Sequence, residues 1–154
     1  MTTISREEFI LKELKLAFND KILESRIAAP RYIYVTVNKE TVIPLVKFLK
    51  ENFGLRHIVT ITGTDFGEYI ELIYHLAIYG RTLMVNVKTK VPKDDPEIES
   101  IVKLLPGATL YEREVHDLLG VVFTGHPNLE RLILPDDWPE GVYPLRKDWK
   151  MEGT

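Results

Sequence analysis

The chain has 154 residues, no cysteine, and a net charge of −3 from 20 basic and 23 acidic residues. A length of about 100–200 residues suits one domain, and no apolar run reaches the roughly 20 residues that a membrane-spanning helix needs. The absence of cysteine excludes disulfides, thiolate catalysis and iron–sulfur ligation by this chain. The acidic balance, without a basic patch, argues against a nucleic-acid partner.

The first elements follow from capping and alternation. Ser5 and Glu8 have the spacing of a capping box, which predicts a helix that runs to about Phe18. Residues 20–29 fit either a short strand or an irregular link, and this choice stays open. Residues 32–37 alternate between apolar and polar side chains, which predicts a strand.

A second helix and three strands are predicted next. Thr41 is the expected cap of the helix, and Gly54 is its expected end. Residues 57–62, 69–79 and 83–91 have the β-branched or alternating patterns of strands, with the last two joined tightly at Gly80 and Arg81. Such a connection predicts antiparallel pairing.

Two short helices are predicted after the sheet. Residues 97–105 form the first, which ends at Pro106 and Gly107, and residues 109–119 form the second, which Gly120 closes. The resulting fold class is α+β: a mixed but mainly antiparallel sheet of about four strands, with helices on one face.

The final quarter of the chain has a different character. Four of the nine prolines and both tryptophans follow Gly125. A segment so often interrupted by proline has no periodic core face and must lie extended on its own domain or on a partner. We therefore divide the chain into an α+β domain, residues 1–125, and an extended partner-binding arm, residues 126–154.

The densest polar cluster lies on the helix over residues 109–119. Glu112 and His116 share a face, and with Asp117 they are candidates for an acid/base or metal site. Two plainer interpretations compete with it. Thr109 and Glu112 have the spacing of a capping box, and Arg113 and Asp117 are four residues apart, as in a solvated ion pair.

Other chemical signals are weak. His126, beside Pro127, is a candidate ligand or proton carrier, although a histidine in this setting more often fixes a turn. The chain has no nucleophile elbow, phosphate loop, dinucleotide fingerprint or metalloprotease helix. The arm, in contrast, carries the residue types enriched at interface hot spots, namely Trp138, Tyr143, Arg146 and Trp149.

One family signature matches this region closely. The stretch YEREVHDLLGVVFTGHPNLERLIL, residues 111–134, resembles that of the C-type subunit of respiratory NADH:quinone oxidoreductase, a family that includes equivalent subunits of energy-converting, membrane-bound nickel–iron hydrogenases. The closing YPLRKDW, residues 143–149, is similar to the tail of that family. The resemblance implies a non-catalytic scaffold subunit that clasps the large hydrogenase-like subunit beside the small iron–sulfur subunit. Such a protein lies peripherally on the cytoplasmic face of the membrane and touches the membrane only through its partners.

The resemblance also implies where cofactors and contacts lie. Iron–sulfur clusters, and a nickel–iron site in the hydrogenases, belong to partner subunits and not to this chain. The implied interface comprises Glu112, Arg113, Glu114, Asp117, His126, Pro127, Arg131, Trp138, Tyr143, Arg146, Lys147, Asp148 and Trp149.

Departures from the family pattern indicate which kind of complex contains this chain. Glu130 stands where many relatives have a basic residue, Leu119 where many have an aromatic, and the chain ends soon after Trp149. The short form favours a hydrogenase or a related ferredoxin-linked complex, with NADH:quinone oxidoreductase as the alternative. A rival of another class is a free-standing acid/base enzyme that uses Glu112, His116 and Asp117.

Overall fold

The computed structural model describes residues 3–80 and 82–151, whose helices and strands form an α+β fold. The α-helices are α1 (Arg6–Phe18), α2 (Val42–Phe53) and α3 (Thr109–Leu119). The strands are β1 (Ile22–Ala29), β2 (Tyr32–Val37), β3 (His57–Asp65), β4 (Tyr69–Ile78), β5 (Leu83–Pro92), β6 (Glu97–Glu99) and β7 (Val122–Thr124).

The main sheet has five strands in the order β1-β2-β5-β4-β3, and only the β2–β5 pair is parallel. The α+β class and the mainly antiparallel sheet are therefore confirmed. The fifth strand is β1, at the position that the sequence left open between strand and link. Gly80 forms the predicted tight connection between β4 and β5, with φ of 110°; Arg81 lies outside the described residues.

Alternation in the strands places the core on one face of the sheet. Ile70, Leu72 and Tyr74 of β4 are fully buried on the face that the helices cover. The opposite face is polar and partly open to solvent. On it His75 lies between Thr62 and Asn86, with hydrogen-bond distances of 2.8 Å and 2.6 Å, so this histidine has a structural role in the sheet.

The helix ends test the capping predictions. The box at α1 is confirmed, since Glu8 N–H donates to the Ser5 hydroxyl at 3.1 Å and Ser5 N–H donates to the Glu8 carboxylate at 3.0 Å. The prediction that Thr41 caps α2 is wrong. A 3-10 turn over Lys39–Thr41 leads into the helix and gives Thr41 helical backbone angles, so its side chain makes no cap bond. Gly54 ends α2 in the left-handed conformation, as predicted.

The predicted helix over residues 97–105 is also wrong. Glu97–Glu99 instead forms β6, which pairs in parallel with β7, and Ile98 points into the core. Strand pairing with residues far along the chain overrides the local helical preference here. The predicted helix over residues 109–119 is confirmed as α3, and Gly120 closes it with φ of 79°.

Candidate partner-binding surface

Helix α3 packs tightly against the edge strand β3, and this contact positions its polar residues. A Cβ atom at Gly63 of β3 would overlap the end of the Leu119 side chain, so a larger residue at this position would require Leu119 to move. Val115 and Leu119 form the buried stripe of the helix. The remaining faces of α3 project toward the segment after β6 and toward the arm.

Glu112 faces the segment after β6 and is completely buried. Its carboxylate accepts hydrogen bonds from the Ser100 hydroxyl, at 2.7 Å and 2.9 Å, and from the Ile101 N–H at 2.9 Å. Burial raises the pKa of Glu112 to about 7, although these hydrogen bonds oppose the rise. The alternative in which Glu112 and Thr109 form a capping box is wrong, because the Thr109 hydroxyl donates to the Pro106 carbonyl instead.

Asp117 faces the arm and is also buried. Its Oδ2 accepts hydrogen bonds from three consecutive backbone N–H groups, those of Leu132, Ile133 and Leu134, at 3.2 Å, 2.8 Å and 2.8 Å. Burial on its own would raise the pKa of Asp117, but the three N–H donors and the nearby Arg131 outweigh it and hold the pKa below its ordinary value. A turn of the arm is thus wrapped around one carboxylate.

Arg113 and His126 hold the preceding part of the arm. Arg113 donates to the carbonyls of Glu130 and Arg131 at 3.1 Å and 2.7 Å. The expected Arg113–Asp117 ion pair on a solvated face is therefore wrong, because both side chains bind arm backbone. His126 lies 3.0 Å from the Thr109 carbonyl, and its other ring nitrogen accepts from the Asn128 N–H. This is the turn-fixing role that the sequence favours.

The later part of the arm crosses the end of α3. The Arg146 guanidinium donates to the Leu119 carbonyl at 2.7 Å and stacks 4.6 Å from the centre of the Tyr143 ring. The Leu145 N–H donates to the Leu118 carbonyl at 3.1 Å. These bonds satisfy carbonyls that the last turn of a helix leaves free. The Tyr143 ring lies directly over Gly120, where a Cβ atom would overlap it.

Asp65, at the end of β3, anchors the arm a second time. Its carboxylate accepts the Lys147 N–H at 2.9 Å and pairs with Lys93 at 2.8 Å, and Lys93 also lies 3.7 Å from Asp148. Burial opposes ionisation, but Lys93 and the backbone donors at Lys147 and Gly67 lower the pKa of Asp65 to about 2. Two buried carboxylates, one on α3 and one on β3, therefore hold the arm to the domain.

The arm is held by these bonds, yet its side chains remain accessible. No residue over 126–151 is buried. Leu132, Ile133 and Leu145 are between 41% and 56% exposed, and we call these three side chains the arm patch. Trp138 packs on Trp149 at 6.1 Å between ring centres. An open cavity of about 350 Å³ beside them is lined by His116, Asp117, Arg131, Leu134, Trp138 and Tyr143.

Sequence reasoning missed the arm patch. It selected the charged and aromatic residues of the arm, whereas the structure uses the buried Glu112 and Asp117 to organise neighbouring backbone and exposes aliphatic side chains. The run Leu-Ile-Leu at residues 132–134 was the available signal. Without the Asp117 contacts, nothing in that run shows which of its side chains face outward.

The three residues of the rival enzyme do not meet in one site, because Glu112 lies away from the cavity that His116 and Asp117 line. Glu112 binds Ser100 and Ile101, Asp117 binds the arm, and His116 donates from Nδ1 to the Val121 carbonyl at 2.8 Å. Among residues 3–80 and 82–151, no three histidine, aspartate or glutamate side chains come together as metal ligands would. Three expectations remain predictions: the chain carries no cofactor, the domain boundary falls at residue 125, and the thirteen residues named above contact a partner.

Known proteins share this chain's signature and its fold. Residues 35–154 match the family described as the respiratory-chain NADH dehydrogenase, 30 Kd subunit. The chain belongs to this family. A relative, the C subunit of the F(420)H(2) dehydrogenase of Methanosarcina mazei, is 36% identical over 92% of this chain and 90% of its own length.

Two further proteins similar to this member of the 30 Kd subunit family belong, by their names, to membrane complexes. The membrane-bound hydrogenase subunit beta of Pyrococcus furiosus is 29% identical over 96% of this chain and 88% of its own. A chain in the structure of the membrane-bound sulfane sulfur reductase, an archaeal respiratory membrane complex, superposes with a TM-score of 0.85 at 29% identity, over 96% and 88% of the two chains. Within the described residues of our chain, no helix is long and apolar enough to cross a bilayer.

Proposed function

We propose that this chain is a non-catalytic subunit of a membrane-associated oxidoreductase complex, and that α3 and the arm bind its large subunit. Family membership supports the first part, because the relatives are by name subunits of dehydrogenase, hydrogenase and sulfane sulfur reductase complexes. Association with the membrane is then peripheral and runs through the partner subunits.

One observation carries the second part: the arm is fixed in place by hydrogen bonds while none of its side chains is buried. In a chain that works alone, ordering such a segment would cost conformational entropy and would bury no side chain in return. A surface that is ordered before binding loses less conformational entropy when a partner covers it. The half-buried tryptophans and arginines of the arm are the anchor types enriched at interface hot spots, and the exposed side chains of the arm patch add apolar area that such a partner would bury.

The finer assignment follows the family resemblance. The partner is the large hydrogenase-like subunit, beside the small iron–sulfur subunit, on the cytoplasmic face of the membrane. Iron–sulfur clusters, and a nickel–iron site if the complex is a hydrogenase, lie on those partners. A hydrogenase or a related ferredoxin-linked complex is the preferred assembly, with NADH:quinone oxidoreductase as the alternative.

Native mass spectrometry of the complex purified through this chain tests the proposal. The wild-type chain should recover a large and a small partner subunit, and their identities distinguish hydrogenase from dehydrogenase. Changing the arm patch to serine (Leu132→Ser, Ile133→Ser, Leu145→Ser) should reduce recovery of the large subunit at least about tenfold, since three apolar anchors are lost.

A matched control uses an apolar residue that is at least as exposed but lies elsewhere. Leu16 on α1 is 69% exposed, and Leu16→Ser should leave recovery of both partners unchanged. Equal losses in the two variants would point to a general effect on folding. Full recovery with the altered arm patch would show that the partner binds another surface.

A further inference from the structure

The outer edge of β1 is an unpaired sheet edge that the proposed function does not use. β1 is the terminal strand of the main sheet, at the opposite side from β3, and α3 and the arm lie on the β3 side. Among the described residues no strand pairs with this edge. Open edges offer a row of backbone donors and acceptors, and proteins ordinarily cover or protect them.

Apolar side chains accompany the open edge. Leu16 on α1, together with Leu23 and Ile27 on β1, is at least 40% exposed. Between α1 and β1 runs a groove of about 430 Å³, lined by Glu8, Leu11, Lys12, Lys15, Leu16 and Ile27. A strand placed along this edge would lay its side chains over the groove and remove these apolar groups from water.

The charges on β1 are arranged symmetrically about Ser25. Glu24 and Arg26 flank it on the open face of the sheet, opposite Thr36 and Tyr34 of β2. Arg26 stacks 4.8 Å from the centre of the Tyr34 ring. Within residues 3–80 and 82–151, neither Glu24 nor Arg26 has an oppositely charged partner within ion-pair distance. The strand thus carries one acid and one base at equal distances from its centre, neither of them in an ion pair.

We propose that two copies of this chain join through their β1 edges, antiparallel, about a twofold axis at Ser25. This arrangement places Glu24 of each copy opposite Arg26 of the other, and it brings Leu23 of each copy toward Ile27 of the other. A twofold contact uses the same patch on both copies. A strand whose acid pairs with the base of the second copy, and whose base pairs with its acid, therefore forms two ion pairs in one contact. The two sheets become one continuous sheet of ten strands, twice the five seen here.

The charges also select the register. A shift of the pairing by two residues in one direction places Glu24 opposite Glu24 of the other copy, and a shift in the other direction places Arg26 opposite Arg26. Like charges directly opposite one another are unfavourable. β1 pairs regularly with β2 over residues 24–27, between bulges at its two ends, so these two charges lie in the regular part of the strand. The charges that favour this register also disfavour pairing of β1 with most other strands.

The proposed contact leaves the partner surface free. Because β1 and β3 are the two opposite edges of the sheet, a second copy at β1 does not cover α3, the arm patch or the cavity beside Trp138. Two assembled complexes could therefore associate through this chain, and the dimer contact can be tested without disturbing partner binding.

Charge-reversal variants of the full chain test the proposal by sedimentation velocity across a concentration series. The wild-type chain should dimerise. Glu24→Arg and Arg26→Glu should each weaken the dimer by about tenfold or more, because each change places like charges opposite one another twice. The double swap, E24R with R26E, restores opposite charges and should restore the dimer.

Mixing gives the sharpest readout. The E24R chain carries two bases and the R26E chain two acids at these positions, so each alone should be largely monomeric while an equimolar mixture forms a heterodimer. Matched controls reverse the exposed α2 pair, with Glu51→Arg or Lys47→Glu, and should leave dimerisation unchanged. A monomeric wild-type chain would overturn the proposal and leave the edge to a strand of another protein. A dimer that tolerates both single reversals would overturn it as well.

Discussion

Replacing Asp117 with asparagine should release the turn of the arm that displays the arm patch. In the native chain one carboxylate oxygen accepts the N–H groups of Leu132, Ile133 and Leu134. Hydrogen bonds to a charged acceptor contribute about 1.5–3 kcal/mol each, against about 0.5–1.5 kcal/mol for neutral ones. An amide oxygen that keeps the same geometry would therefore lose about 1 kcal/mol at each of the two short bonds, to Ile133 and Leu134, or about 2 kcal/mol in all, with little further loss at the long bond to Leu132.

Hydrogen exchange measures this loss directly. A change of about 2 kcal/mol corresponds to roughly 30-fold faster exchange of the three amides through local opening. The strands of the main sheet should exchange at their native rates, because no residue of the arm belongs to that sheet. Asp137→Asn, an exposed carboxylate of the arm, is the matched control and should leave all three amides unchanged.

The pH dependence provides a second check on the same contact. The pKa of Asp117 is below its ordinary value in the folded chain, so its stabilising effect is complete above the ordinary carboxyl pKa. The effect is lost as pH falls through the lowered folded value. Protection of residues 132–134 should follow that course in the native chain and lose this dependence in Asp117→Asn. Equal protection in the two chains at neutral pH would refute the role given to Asp117.

Three further predictions concern the domain that holds the arm. Because burial raises the pKa of Glu112 to about 7, unfolding releases its proton, and stability should fall by about 3 kcal/mol as pH rises from 4.5 to 8; Glu112→Gln should remove this dependence in urea titrations. Gly120→Ala should lower the melting temperature, since φ is 79° and the new Cβ would displace Tyr143. His116→Ala should leave turnover of the purified complex largely intact, whereas a free-standing acid/base enzyme would lose its rate.

Local patterns predicted most of the sheet domain. The capping box of α1, the alternation in β4 and β5, and the glycines after α2 and α3 all act over a few residues, so the sequence displays them. Non-local pairing explains the errors. Residues Glu97–Glu99 become a strand only because Val122–Thr124 lies beside them, and no local pattern records that.

The sequence predicted where the candidate surface lies but not which contacts form it. The signature located α3 and the arm, and the family resemblance supplied a reason for them. The sequence pattern does not show that Asp117 and Arg113 bind backbone groups 15 or more residues away, because contacts over that distance leave no side-chain periodicity. The exposure of Leu132 and Ile133 follows from those contacts and was therefore equally hidden.

The central claim is that another protein of the complex covers the arm, and hydrogen exchange of residues 126–151 in the free chain and in the purified complex tests it most directly. We predict that exchange along the arm slows on assembly, most clearly around Leu132, Ile133 and Leu145, while the open face of the sheet near His75 changes little. An arm that exchanges equally fast in the complex, with protection appearing elsewhere on the chain, would contradict the account.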